Sequence, residues 1–194
     1  LSKLSERFVN AITFDNEKRI WFATDRGLYH TDGDSISRVF LPYNSSESIV
    51  HTLQKDHYGN VWIGSHDGLY MFNPTSKKII TVDFTNKNIS NKATIHSLSL
   101  NNDNRILVGT NNGLYWVEQI NQSYFLKPYF ELLIPHNTQI FAIRYDRQNN
   151  LWLGSSLGLF RWNQKQLELI TTKEGLLNNT IISLYEDREG VFWF

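Results

Sequence analysis

The sequence contains no cysteine, which removes disulfides, thiolate metal sites and cysteine nucleophiles together. It also has no excess of either charge, since 19 Lys plus Arg balance 19 Asp plus Glu. Without a basic block, a chain that grips nucleic acid or an anionic membrane mainly by charge is excluded. No apolar run approaches the roughly 18 residues a bilayer span needs, and no signal-peptide pattern stands at Leu1. Direct membrane insertion of this segment is therefore not expected. Patterns of the HExxH and phosphate-loop kinds are missing, and no carboxylate pair can be placed for glycoside hydrolysis. What is present is ample material for a core: 41% of the 194 residues are hydrophobic and 14% aromatic, which excludes global disorder. The chain opens on Leu1 and stops at Val191-Phe192-Trp193-Phe194, inside an apolar strand pattern, so a piece of a longer polypeptide is expected.

Self-similarity sets the architecture. Aligned on Trp21, Trp62, Leu107, Trp152 and Trp193, the chain repeats in steps of 41, 45, 45 and 41 residues. Nine positions before each anchor stands Ile12, Leu53, Leu98, Ile143 or Leu184, and six before it Asp15, Asp56, Asn101, Asp146 or Asp187. Six positions after the first four anchors comes Gly-Leu-aromatic, at Gly27, Gly68, Gly113 and Gly158. Nine of the 11 glycines fall on repeat positions, so glycine here serves backbone geometry, not one site. In the second unit the spacing predicts strands over Val50 to Lys55, Val61 to Ser65, Gly68 to Asn73 and Lys78 to Phe84. A tight turn is expected at Asp56-His57-Tyr58-Gly59-Asn60, where Asp bonds backbone amides and Gly accepts positive φ. Asn104, Asn149 and Gly190 match Gly59, whereas Lys18 in the first unit predicts a distorted turn or one of another type. β-branched and aromatic residues dominate the strands, and no 3.6-residue period competes.

Four short strands in 41 to 45 residues are the length of a β-propeller blade. The reading is all-β, with antiparallel four-stranded blades at about 8–49, 50–94, 95–139 and 140–180, and a partial fifth at 181–194. Small residues at Ala11, Thr52, Ser97, Ala142 and Ser183 fit inner strands converging on an axis. The Ile12-type positions are expected to face the neighbouring blade. A right-handed β-helix has shorter coils and fits less well. Because the first unit carries its own inner strand, residues 181–194 look like a new blade, and a fragment of a larger, seven-bladed propeller is expected, with apolar faces and strand edges left open.

Spacing separates the related repeats. No Trp-Asp end signature and no glycine pairs occur, and Asp precedes Trp by six residues where sialidase Asp-boxes have five. The run Val50-His51-Thr52-Leu53, Asp56, Gly59-Asn60-Val61-Trp62-Ile63-Gly64 and Gly68-Leu69-Tyr70 resembles the two-component regulator propeller repeat. So does the lead-in Glu174-Gly175-Leu176-Leu177-Asn178-Asn179-Thr180-Ile181. The third unit is the weakest match, with Leu107 in place of Trp. The resemblance implies the periplasmic sensor region of a bacterial hybrid two-component histidine kinase anchored in the inner membrane. In that family, two seven-bladed propellers precede a β-sandwich, a membrane span, a kinase and a response regulator, and similar repeats precede diguanylate cyclases. It further implies a dimeric parent receptor that recognises glycan-derived oligosaccharides. A segment of this kind would be noncatalytic and without a cofactor.

Ligands of propellers sit at one end of the axis, on loops from several blades. The second-to-third-strand loops hold Asp25-Arg26, His66-Asp67, Asn111-Asn112 and Ser156-Leu157. The interblade loops hold Tyr43-Asn44-Ser45-Ser46, Asn86-Lys87-Asn88 and His136-Asn137-Thr138. Amide, carboxylate and hydroxyl groups suit sugar hydroxyls, and Arg26, His66, Asp67 and Asn112 are the ligand candidates; solvated loop tips are the plain alternative. His51 and His96 stand second in adjacent inner strands, beside the expected channel mouth. A ligand or metal role is conceivable there, but the equivalent positions are Asn10, Phe141 and Ile182, so no metal site is expected. The anchor tryptophans read as packing, Trp116 and Trp162 as packing or a partner surface, and the Asp series as turn caps, not a calcium array. Two competitors to a sensor remain: a carbohydrate lyase or glycosidase, requiring a carboxylate or His–Tyr–Arg cluster in the funnel, and a protein-interaction scaffold.

Overall fold

A computed structural model describes residues 8–42, 48–84, 93–101, 103–129, 132–135 and 137–194. Its regular structure is entirely strand. The first blade comprises β1 (Val9–Phe14), β2 (Ile20–Thr24), β3 (Gly27–Thr31) and β4 (Ile36–Val39). The second comprises β5 (Val50–Lys55), β6 (Val61–Ser65), β7 (Gly68–Asn73) and β8 (Lys78–Phe84), the four segments the spacing predicts. The third has β9 (Ile95–Leu100), β10 (Ile106–Thr110), β11 (Gly113–Ile120) and β12 (Ser123–Pro128). The fourth has β13 (Ile140–Tyr145), β14 (Leu151–Ser155), β15 (Leu159–Trp162) and β16 (Leu167–Ile170), followed by the short pair β17 (Tyr185–Glu186) and β18 (Phe192–Trp193). Within each blade, neighbouring strands are antiparallel. The second and third blades differ from the plain four-stranded expectation. Their outer strands β8 and β12 pair in parallel, Asp83 with Phe125 and Phe84 with Leu126, giving one eight-stranded sheet. Phe84 and Leu126 are both buried in the core those blades share, which draws two otherwise unpaired edges together.

The core lies between blades, because strand residues alternate between faces. Val61 and Ile63 point back to the cluster shared with the first blade, whereas Trp62 points forward to the third. Likewise Ile106 and Val108 face the second blade and Leu107 the fourth. The anchors Trp21, Trp62 and Leu107 thus fill the wedges ahead of them, and β6 and β10 are buried along their whole length. Leu53 and Leu98 face a neighbour as expected, at 9% and 8% exposure. Ile12 does not: it is 56% exposed, because among the described residues no sheet covers that side of β1.

One turn recurs after every inner strand. Asp15, Asp56, Asp146 and Asp187 accept backbone amides two and four residues on through Oδ1. Their Oδ2 atoms accept the indole N–H of Trp21, Trp62, Trp152 and Trp193 at 2.8–2.9 Å. The six-residue spacing is therefore a carboxylate-to-indole clamp. In the third unit both partners change together: Asn101 still caps the amides of Asp103 and Arg105, but Leu107 offers no N–H. The turn at Lys18 is not distorted, contrary to the expectation from its sequence. Lys18 has φ 64°, beside 60° at Asn104 and 63° at Asn149, and the same turn bonds join Asp15 to Lys18 and Arg19. The Asp15 cap holds a lysine in a left-handed conformation that costs it about 1–2 kcal/mol.

The small residues of the inner strands have a more specific cause than convergence on the axis. Thr52, Ser97 and Ala142 pair with Gly64, Gly109 and Gly154, and the first inner-strand residue of the next blade wedges onto each pair. A Cβ at Gly64 would lie 2.6 Å from Ile95 Cγ2, and one at Gly109 2.6 Å from the Ile140 carbonyl oxygen.

Candidate functional site

The inner strands share a defect that builds the axial mouth. Val50 pairs with Ser65 and Thr52 with Gly64, leaving His51 opposite no partner residue. The same register shift leaves out Asn10 between Val9 and Ala11, His96 between Ile95 and Ser97, and Phe141 between Ile140 and Ala142. Each is a β-bulge, which re-aims one side chain while the ladder continues. The four bulge residues meet around the axis. Asn10 Nδ2 donates to the Val50 carbonyl at 2.8 Å, the His51 and His96 rings lie 5.8 Å apart, and those of His96 and Phe141 5.2 Å apart.

The loops between second and third strands stand at the same end, because the start of each inner strand pairs with the end of the second. These loops share a buried hydroxyl. Thr24, Ser65, Thr110 and Ser155 each donate to the carbonyl of the glycine three residues on, at 2.8–3.0 Å, and accept an amide two residues on. All four are fully buried. The signal was present in the sequence as a Thr or Ser three residues after every complete anchor.

This frame places the six candidates unequally. His66, on the β6–β7 loop, joins the bulge histidines: its ring centroid is 6.4 Å from that of His51, and its Nδ1 is 3.4 Å from Thr94 Oγ1. Asp67 spends its carboxylate on structure, accepting Ser48 Oγ at 2.7 Å. Arg26 and Asn112 lie exposed on their own loops; Arg26 O accepts Arg38 Nη2 at 3.0 Å, and no contact among the described residues links either side chain to the histidines. The group that converges is thus His51, His66 and His96, with Phe141 beside them. Of the interblade candidates, 43–46, 86–88 and His136 lie outside the described residues, and Thr138 is buried against the Pro135 carbonyl. Trp116 and Trp162 pack against the cluster between the third and fourth blades, with the Arg105 guanidinium 5.0 Å from the Trp116 ring.

The electrostatics of the mouth are unusual. Burial pushes the His51 imidazole below its ordinary pKa, and His96 and His66 push it further. Burial, then His66, does the same to His96. Both Nε2 atoms are sealed from solvent and lack a hydrogen-bond partner in the protein. Unmet buried polar groups cost about 1–3 kcal/mol each, so either ring would be stabilised by turning toward a partner at the mouth. Among the described residues no group of three or more His, Cys, Asp or Glu side chains is arranged to hold a metal ion. A second concavity, about 130 Å³, opens on the opposite rim between the second and third blades, lined by Tyr58, Asn60, Trp62, Arg105, Gln119 and Tyr124 among others.

Four-stranded sheets stacked about a common axis, with polar bulges and loops at one mouth, define a β-propeller. The family described as two component regulator propeller matches residues 3–26, 44–67, 134–156 and 175–194, so four segments of the chain carry that repeat. The third unit, where Asn101 and Leu107 replace the clamp, falls between those matches. The chain is similar to histidine kinase P4 of Formosa agariphila, 34% identical over 67 residues, which cover 34% of this chain and 5% of that protein. Among solved structures, it resembles the extracellular domain assigned to a hybrid two component system of B. thetaiotaomicron. That likeness has a TM-score of 0.80 at 22% identity, over 98% of this chain and 26% of the other. Virginiamycin B lyase from Staphylococcus aureus shares the fold at TM-score 0.71 and 13% identity, over 97% of this chain and 63% of the lyase. A gluconolactonase from Xanthomonas campestris does so at 0.64 and 13%, over 94% and 67%. The chain thus spans a small part of its signalling relatives, and at these identities the solved structures carry the fold alone.

Proposed function

We propose that this chain is a noncatalytic, ligand-sensing part of the periplasmic region of a hybrid two-component receptor. Its ligand, a small molecule or glycan-derived oligosaccharide, is met at the mouth formed by His51, His96 and Phe141 and the loop bearing His66. The observation that carries this reading is the ring of β-bulges, which turns one side chain per blade into a shared mouth and leaves two imidazole nitrogens unmet. The matches to the two component regulator propeller repeat support the signalling role. The fold is also used by a lyase and a lactonase, but the groups that bear on His51 and His96 are other histidines and no carboxylate, which favours binding over acid–base turnover. Signalling follows from differential affinity: a ligand held better in one arrangement of the dimeric receptor biases the equilibrium toward it.

Calorimetric titration of the intact extracellular region against an oligosaccharide panel tests this. Saturable binding that is weakened at least tenfold by Phe141→Ala, with no chemical change in the ligand, is expected. Turnover of the ligand, or binding unaffected by that substitution, would overturn it.

A further inference from the structure

We propose that His51, His66 and His96 form a receptor for an oxyanion, a carboxylate or sulfate group carried by the ligand, whose binding is coupled to proton uptake at His51 and His96; this rests on reading the axial mouth as the ligand site. The three imidazoles come from three separate elements, the β5 bulge, the β6–β7 loop and the β9 bulge. Their centroid separations of 5.8 and 6.4 Å about His51 let one multi-oxygen anion reach more than one ring through charge-assisted hydrogen bonds. The Nε2 atoms of His51 and His96 are unpartnered and closed to solvent as the chain stands, so an anion engages them once a ring turns toward the mouth.

Neither bulge histidine has a counter-ion of its own. The charges that act on His51 are those of His96 and His66, and the one that acts on His96 is that of His66. On the packed elements around them, β1 presents Asn10, whose amide is bound to Val50 O. β13 presents Phe141, which does not ionise. Ahead of β9, Thr94 offers a hydroxyl, and the Asp67 carboxylate beside His66 is hydrogen-bonded to Ser48 and is not among the charges that act on His51 or His96. Protonation of His51 or His96 therefore gathers positive charge that no carboxylate acting on them offsets, and a bound anion supplies the missing charge. Because burial resists protonation of the empty mouth, anion and proton bind together, and affinity rises as pH falls through the histidine range.

The test titrates the full chain with inorganic sulfate at pH 5.5 and 7.5, at fixed ionic strength in chloride, following the imidazole resonances by NMR and the affinity by calorimetry. Saturable shifts at His51, His66 and His96 together, with sulfate held about tenfold or more tightly at pH 5.5, are expected. The change is bounded at about a hundredfold if one proton is taken up over two pH units. His66→Gln, in an exposed loop, should weaken sulfate several-fold without moving the melting temperature, and H51Q/H96Q should abolish the pH dependence. Glucuronate and glucose 6-sulfate, compared with glucose, separate a carboxylate source from a sulfate ester. Equal sulfate affinity at both pH values, or affinity indifferent to H66Q and H51Q/H96Q, overturns the proposal. If uncharged saccharides shift the mouth while sulfate does not, the oxyanion is wrong and the ligand mouth stands; if neither does, both fall.

Discussion

Replacing Asp56 by alanine removes one carboxylate that fastens the whole first turn of the second blade. Its Oδ1 accepts the amides of Tyr58 and Asn60 at 2.9 Å, and its Oδ2 accepts Asn60 Nδ2 at 2.8 Å and the Trp62 indole at 2.9 Å. Asp56 is 5% exposed and Trp62 3%, so water has little access to the freed donors. A hydrogen bond to a charged group contributes about 1.5–3 kcal/mol, and four that share one side chain are not additive. The expected loss is about 3–5 kcal/mol, which at an m-value of about 2–3 kcal/mol per M lowers the urea midpoint by about 1–2.5 M. Asp187 is the internal control. It makes the same bonds to Glu189, Val191 and Trp193, but Trp193 is 59% exposed and water can replace the carboxylate. Urea unfolding followed by tryptophan fluorescence and far-UV circular dichroism should show a large shift for D56A and none beyond error for D187A. Equal shifts, or a D56A loss under about 1 kcal/mol, would refute the view that burial gives the clamp its worth.

Two further outcomes concern close packing and buried histidines. Gly109→Ala places a Cβ 2.6 Å from the Ile140 carbonyl oxygen, an obstacle that only backbone movement relieves, and should cost about 2–3 kcal/mol in the same assay. The folded state holds His30, His51 and His96 below the ordinary histidine pKa, in each case through burial first. The unfolded chain therefore binds protons that the folded chain resists. Stability is full above about pH 6.5 and declines as pH falls below it, so melting temperatures across pH 7.5 to 5 should drop, and less steeply in H51Q/H96Q. A flat profile in the parent chain would contradict the burial of those rings.

Much of the fold was legible because a repeat states the same local rule several times. The Trp anchors, the glycines and the apolar alternation placed all four strands of the second blade residue for residue. The turn at Lys18 misled, since its own side chain argues against positive φ while the Asp15 cap three residues earlier imposes it. The Asp-to-Trp spacing was plain, yet its meaning as a bond needed the indole N–H to be seen facing the turn. The β8–β12 pairing and the bulges were not legible at all, because register belongs to pairs of strands and no single segment encodes it. That is also why His51 and His96 stood out by position, while His66 could be joined to them only once the β6–β7 loop was seen to fold over the same mouth.

The most direct test maps a saturating saccharide ligand, found by panel titration, onto the chain by NMR chemical-shift perturbation. The account predicts that the largest shifts fall on Asn10, His51, His66, His96 and Phe141. Shifts concentrated instead on Tyr58, Arg105, Gln119 and Tyr124, around the cavity of the opposite rim, would contradict it.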